Sequence, residues 1–115
     1  MKLCELSDIS PGSARGVEID NDLEVVIVRV AAGEIVAYFN RCPHTGASLN
    51  WQPDQFLDRA GSYIQCSNHD ALFRIKDGVC IAGPCIGQSL SPFRLEIRNG
   101  SVFPAVEQTA SRQGK

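Results

Sequence analysis

"LEVVIVRVAAGEIVAYF", residues 23–39, carries the clearest secondary-structure signal in the chain. Two runs rich in β-branched and aromatic residues, 23–30 and 34–39, flank a short Ala-Ala-Gly turn, which is the pattern of a β-hairpin. Working outward, "SYIQC" (62–66), "ALFRI" (71–75), "FRLEIR" (93–98) and "SVF" (101–103) read as further strands. They are punctuated by Asp77-Gly78 and Asn99-Gly100, dipeptides suited to tight hairpin turns because both members tolerate positive φ. No long segment has helical period, and only "DQFLDRAG" (54–61) offers a single helical turn. The chain reads as all-β.

A chain of 115 residues supplies one domain, which buries about two-thirds of its unfolded surface in one core. The formal charge of −2 offers no basic face, so nucleic acid is not an expected partner. Apolar runs are short, "VVIV" at 25–28 being typical, so no membrane partner is expected. The start "MKLCELSDISPG" has neither the apolar stretch nor the cleavage site of a signal peptide, and a cytoplasmic location is expected. Five cysteines are an odd number, and in a reducing compartment thiols more often serve metals or catalysis than disulfides. Residues 1–103 are read as the domain and the polar stretch 104–115 as a flexible tail.

Directly after the first hairpin comes "NRCPHTGASLNW" (40–51), and later "IQCSNHDALFRI" (64–75). Each pairs one cysteine with one histidine, Cys42 with His44 and Cys66 with His69, and these are the only two histidines. The pairs fall in loops at strand ends, where a rigid β scaffold presents ligands. Brought together, they give four soft or borderline donors. The plain alternative is two buried thiols and two satisfied core histidines. A structural zinc is a stronger rival, although zinc usually takes both cysteines from one pair and both histidines from the other, whereas here each pair is mixed.

Mixed pairs suit a [2Fe-2S] cluster in which one iron takes two thiolates and the other two imidazoles. On "CPHTG", "CSNH" and the third element "GPC" (83–85), the sequence resembles the Rieske iron–sulfur proteins over roughly residues 3–103. The resemblance implies an antiparallel β-sandwich with a small cluster-binding subdomain, its loops at about 40–85. It implies one [2Fe-2S] cluster per chain, with Cys42 and Cys66 on the inner iron and His44 and His69 on the outer. It also makes "GPC" a loop covering the cluster, where Gly83 permits a tight backbone path and Pro84 stiffens it. Gly46 is expected to allow close backbone approach to the cluster.

The chain departs from high-potential members of that family. Ala47 and Asn68 stand where those proteins carry two bridging cysteines, and Asp70 stands where glycine is common. Ala71 and Phe73 stand where a serine and a tyrosine donate hydrogen bonds to cluster sulfurs. Each change opposes electron entry, so the potential is expected near the lower end of the roughly −150 to +300 mV Rieske range and nearly flat with pH around neutrality. The long interval between the pairs, with Trp51 and Phe56, is either a docking loop or a packed insertion. Cys80 and Cys85 offer a disulfide, weak S–H donors or apolar packing, of which packing is favoured. Cys4 reads as an inert strand thiol, and Asn99-Gly100-Ser101 as a hairpin turn rather than a glycosylation site.

Four protein ligands leave no open coordination position, and no histidine remains for acid–base work. The chain therefore reads as an electron-transfer protein rather than an enzyme. Two thiolates neutralise the 2+ core of a ferric pair with two sulfides, and neutral imidazoles leave that charge unchanged, so the cluster accepts an electron more readily than an all-cysteine one. The resemblance implies a ferredoxin-like one-electron carrier between a reductase and a terminal oxygenase or other oxidoreductase. The alternatives are a small Rieske-like subunit of a larger oxidoreductase such as nitrite reductase, and a structural zinc or interaction module.

Overall fold

The "VVIV" run forms the middle of a strand buried on both faces, and the architecture is arranged around it. The computed structural model describes residues 2–20, 23–31, 33–41, 43, 49, 56–58, 61–66 and 71–105. The described residues form nine strands: β1 (Cys4–Glu5), β2 (Ala14–Asp20), β3 (Leu23–Ala31), β4 (Glu34–Phe39), β5 (Tyr63–Gln65), β6 (Leu72–Arg74), β7 (Cys80–Ala82), β8 (Leu95–Arg98) and β9 (Ser101–Pro104). They pair antiparallel in three three-stranded sheets of order β1-β9-β8, β2-β3-β4 and β5-β6-β7. The all-β expectation holds; among the described residues the helical content is one 3₁₀ turn, Leu6–Asp8.

Alternation along β3 sends successive side chains to opposite faces. Val26 and Val28 enter one core with Tyr38, Leu49, Phe56, Ile64, Cys66, Ala71, Phe73, Cys80, Cys85 and Leu90, which lies between the central sheet and β5-β6-β7. Val25 and Ile27 enter the other with Cys4, Ile9, Ala37, Phe93 and Val102, against β1-β9-β8. All four β3 residues are at most 1% exposed, and each such burial contributes about 1.5–3 kcal/mol. The middle of a strand between two cores has no polar face, which is why β3 is apolar from Val25 to Val28 and carries its charges, Glu24 and Arg29, on either side of that span.

The predicted hairpin is β3-β4, with Val26 opposite Tyr38 and Val28 opposite Val36. The Asn99-Gly100 turn joins β8 to β9, with φ of 51° and 78° at its two residues, as a turn with two left-handed positions requires. Asp77-Gly78 lies between β6 and β7, where the Gly78 N–H donates to the Arg74 carbonyl at 2.7 Å. Cys4 lies in β1 and is buried.

Two strands escaped the sequence reading. β2, "ARGVEID", carries charged residues and a glycine because it is half exposed beside β3. β7 is three residues long and ends just before the "GPC" segment expected to cover the cluster. The helical turn expected at 54–61 is corrected where it is described: Leu57 bridges Ile64, and the Gln65 N–H donates to the Phe56 carbonyl at 2.8 Å. Residues 56–58 therefore extend along β5, drawn there by burial of the Phe56 ring. β9 runs to Pro104 and the Ala105 N–H donates to the Arg94 carbonyl at 3.0 Å; the rest of the expected tail, 106–115, lies outside the described residues.

Candidate metal centre

Of the four expected ligands, Cys66 is described, while Cys42, His44 and His69 lie outside the described residues, as do Gly46, Ala47, Trp51, Asn68 and Asp70. The bases of both ligand-bearing loops are nevertheless defined. Cys66 follows β5, and its N–H donates to the carbonyl of Ala71 at 2.9 Å, next to the paired residues Gln65 and Leu72. Cys66 itself is 0% exposed.

The first loop leaves β4 at Phe39 and is held by Asn40, a polar residue only 9% exposed. The Asn40 N–H donates to the Glu24 carbonyl at 2.9 Å, and its Nδ2 donates to Glu24 Oε1 at 2.7 Å. Its Oδ1 accepts the N–H of Leu49 at 2.7 Å. Asn40 and Leu49, which flank the first cysteine–histidine pair in sequence, are thus tied to each other and to Glu24 in β3. Leu49 and Cys66 then share one apolar core, so the feet of the two loops stand in the same packed layer.

The third element meets the second loop at its base. Gly83 has φ of 100°, and a Cβ there would stand 2.8 Å from the Cα of Ala71. A side chain would collide with backbone, so only glycine brings the "GPC" segment so close to the end of the Cys66 loop. The Gln88 N–H donates to the Cys85 carbonyl and the Cys80 N–H to the Gln88 carbonyl, both at 2.9 Å, folding the segment back on β7. Further on, the Phe39 N–H donates to the Ser91 carbonyl and the Phe93 N–H to the Ala37 carbonyl, each at 2.9 Å. The chain leaving the cover segment therefore returns to the strand that delivers the first loop.

Tyr38 ties β4 to the β6-β7 hairpin by donating its hydroxyl hydrogen to the Ile75 carbonyl at 2.7 Å. Burial, with a smaller contribution from the negative charge of Asp77, pushes its pKa up to about 12. Burial also pushes the Cys4 thiol up, which favours its protonated form. Cys80 and Cys85 are 2% and 1% exposed and pack in the core, and their Sγ atoms lie 3.1 Å apart. Ala71 and Phe73 are both 0% exposed, and neither offers a side-chain donor.

These features fit a buried cluster. The Cys66 thiol sits in a dry apolar layer that would disfavour an uncompensated thiolate and suits a metal-bound one, and the glycine-permitted contact at Ala71 closes one side. The Asn40 clamp was not read from the sequence. An asparagine just before a cysteine–histidine loop is its sole trace there, because its partners Glu24 and Leu49 are remote in sequence.

Three antiparallel three-stranded sheets, with the glycine-fitted segment at Gly83 packed against Ala71, define a small all-β domain. Residues 1–103 match the family model described as the Rieske [2Fe-2S] domain. The chain is 31% identical over 108 residues to ferredoxin CarAc of Metapseudomonas resinovorans, covering 94% of each chain. Among solved structures it is similar to a chain in the complex of reduced oxygenase and oxidised ferredoxin in carbazole 1,9a-dioxygenase, at 29% identity and a TM-score of 0.73, covering 94% of both chains. It is also similar to the ferredoxin of carbazole 1,9a-dioxygenase from Nocardioides aromaticivorans IC177, at 25% identity and a TM-score of 0.71, covering 93% of this chain and 97% of that one. The chain belongs to the Rieske [2Fe-2S] domain family, whose cofactor is a [2Fe-2S] cluster.

Proposed function

We propose that this protein is a ferredoxin-like one-electron carrier that passes electrons from a reductase to an oxygenase or another oxidoreductase. The observation that carries the reading is the 31% identity with ferredoxin CarAc over 94% of both chains. Cys42 and Cys66 hold one iron and His44 and His69 the other, an assignment supported by the mixed pairing and by the burial of Cys66. When bound, such a cluster accepts and returns a single electron.

The chain's own part is to hold and shield. Cys66 supplies its sulfur from a buried apolar layer, Asn40 ties the residues on either side of the first pair through Leu49, and the Gly83 segment packs against Ala71 beside the second. The absence of side-chain donors at Ala71 and Phe73 leaves added negative charge without hydroxyl stabilisation and favours a low potential. Among the described residues no helix is long and apolar enough to cross a membrane, and a cytoplasmic location is part of this proposal.

The test is stopped-flow mixing of the dithionite-reduced protein with an oxidised Rieske non-haem iron oxygenase, and of the oxidised protein with a flavin-containing reductase and reduced nicotinamide. One electron per chain should move in each direction. Turnover of an organic substrate by this chain alone would overturn the carrier reading.

A further inference from the structure

The accounting of five cysteines leaves two without a role. With Cys42 and Cys66 assigned to the cluster and Cys4 inert in β1, Cys80 and Cys85 remain, and they are neighbours. Their sulfurs lie 3.1 Å apart, inside ordinary contact between two sulfurs and beyond the bonded distance of about 2.05 Å. Backbone geometry fixes the approach, since Gln88 bonds to both the Cys80 N–H and the Cys85 carbonyl. The Cys80 Sγ also lies 3.2 Å from the Ala82 carbonyl, so both thiols are held within one short reverse segment.

We infer that Cys80 and Cys85 form a second redox site, a two-electron dithiol that low-molecular-weight disulfides of the oxidised-glutathione class convert to an intramolecular disulfide. One cysteine thiolate attacks the small disulfide, breaking its S–S bond, releasing one thiol and leaving a mixed disulfide. The second cysteine then displaces the other half. Cys80 and Cys85 together lose two protons and two electrons, one S–S bond forms between them, and the small disulfide leaves as two thiols.

Cys85 is the entry point. It stands between Pro84 and Ile86, both exposed, in a segment bracketed by Gly83 and Gly87 with φ of 100° and 95°. Two glycines in this region form a hinge pair at which the intervening residues turn outward without side-chain strain. The cross-link ties that segment to β7 while Gly83 rests on Ala71, so oxidation fixes the cover loop in place. The site draws on no cluster ligand, and its chemistry stands or falls separately from the cluster assignment.

The experiment treats the cluster-loaded protein with oxidised and reduced glutathione over a range of ratios, alkylates remaining thiols without reduction, and maps tryptic peptides by mass. Cleavage after Lys76 and Arg94 gives a peptide of residues 77–94 that contains Cys80, Cys85 and no other cysteine. Its mass should fall by two hydrogens, with no alkyl label, as the oxidised fraction rises. Cys85→Ser should abolish that species and leave Cys80 alkylated or carrying one glutathione, whereas Cys4→Ser should leave it unchanged. Amide exchange across residues 83–87 should slow in the oxidised form. A doubly alkylated wild-type peptide at every ratio, or two glutathiones on one peptide, would overturn the site; unchanged exchange in the cross-linked form would overturn the tether.

Discussion

The side-chain carbonyl of Asn40 accepts the backbone N–H of Leu49 at 2.7 Å, so a single buried hydrogen bond joins the two ends of the first cysteine–histidine loop. The same amide donates to Glu24, and no other residue type supplies this acceptor and this donor at one length. Asn40→Ala orphans the Leu49 N–H in a fully buried position, which should cost about 1–3 kcal/mol. Asn40→Asp keeps the acceptor but sets a second carboxylate against Glu24 and should lose a similar amount. Urea unfolding of the cluster-loaded variants, with iron content measured beside it, checks both.

Gly83→Ala should be more damaging than a surface loop substitution. The new Cβ meets backbone at Ala71 rather than a flexible side chain, and φ of 100° is closed to residues with a Cβ. The backbone conformation alone should cost about 1–3 kcal/mol. The displaced loop should release iron to a chelator faster than wild type, followed by the loss of visible absorbance. Wild-type release rates in this variant would show that the contact has no part in shielding.

Tyr38 sets an alkaline limit. Its pKa is about 12 when folded against an ordinary value of 10.0. The folded state therefore holds the proton more tightly than the unfolded chain, and the associated stability is complete below pH 10 and is lost as pH rises toward 12. Tyr38→Phe removes the hydrogen bond to Ile75 and should lower stability by about 1 kcal/mol at neutral pH. The variant should also lose less stability than wild type between pH 10 and 12, as thermal melts across that window would show.

Much of this fold was legible because its strongest signals are local. The β3-β4 hairpin, the turn at Asn99-Gly100 and the mixed pairs at Cys42, His44, Cys66 and His69 each declare themselves within a few residues. What escaped depends on partners distant in sequence. β2 is a strand because β3 lies beside it, not because its charged sequence prefers the conformation. Phe56–Asp58 gave up a helical turn to bury the Phe56 ring and pair with β5. Asn40 shows its function only when Leu49, nine residues on, and Glu24, sixteen back, are set beside it.

The missing hydroxyls at Ala71 and Phe73 lead to a prediction about potential. Both positions are fully buried at the foot of the second loop, so a hydroxyl placed there must find a partner inside the site. Ala71→Ser with Phe73→Tyr should raise the midpoint from near the lower end of the roughly −150 to +300 mV range by stabilising the more negative reduced state. Protein-film voltammetry from pH 6 to 9 reads the shift, and wild type should be nearly flat with pH around neutrality. An unchanged midpoint with a full cluster would count against the account.

The proposed cluster, held by two cysteines and two histidines, carries one electron, and a reductive titration followed by electron paramagnetic resonance reads both features at once. The account predicts two irons and two sulfides per chain and one electron taken up. The reduced protein should give a rhombic signal whose average g-value lies below that of all-cysteine [2Fe-2S] proteins, and His44→Ala or His69→Ala should lose it. A colourless, redox-silent protein holding stoichiometric zinc, or a full and unaltered signal in both histidine variants, would contradict it.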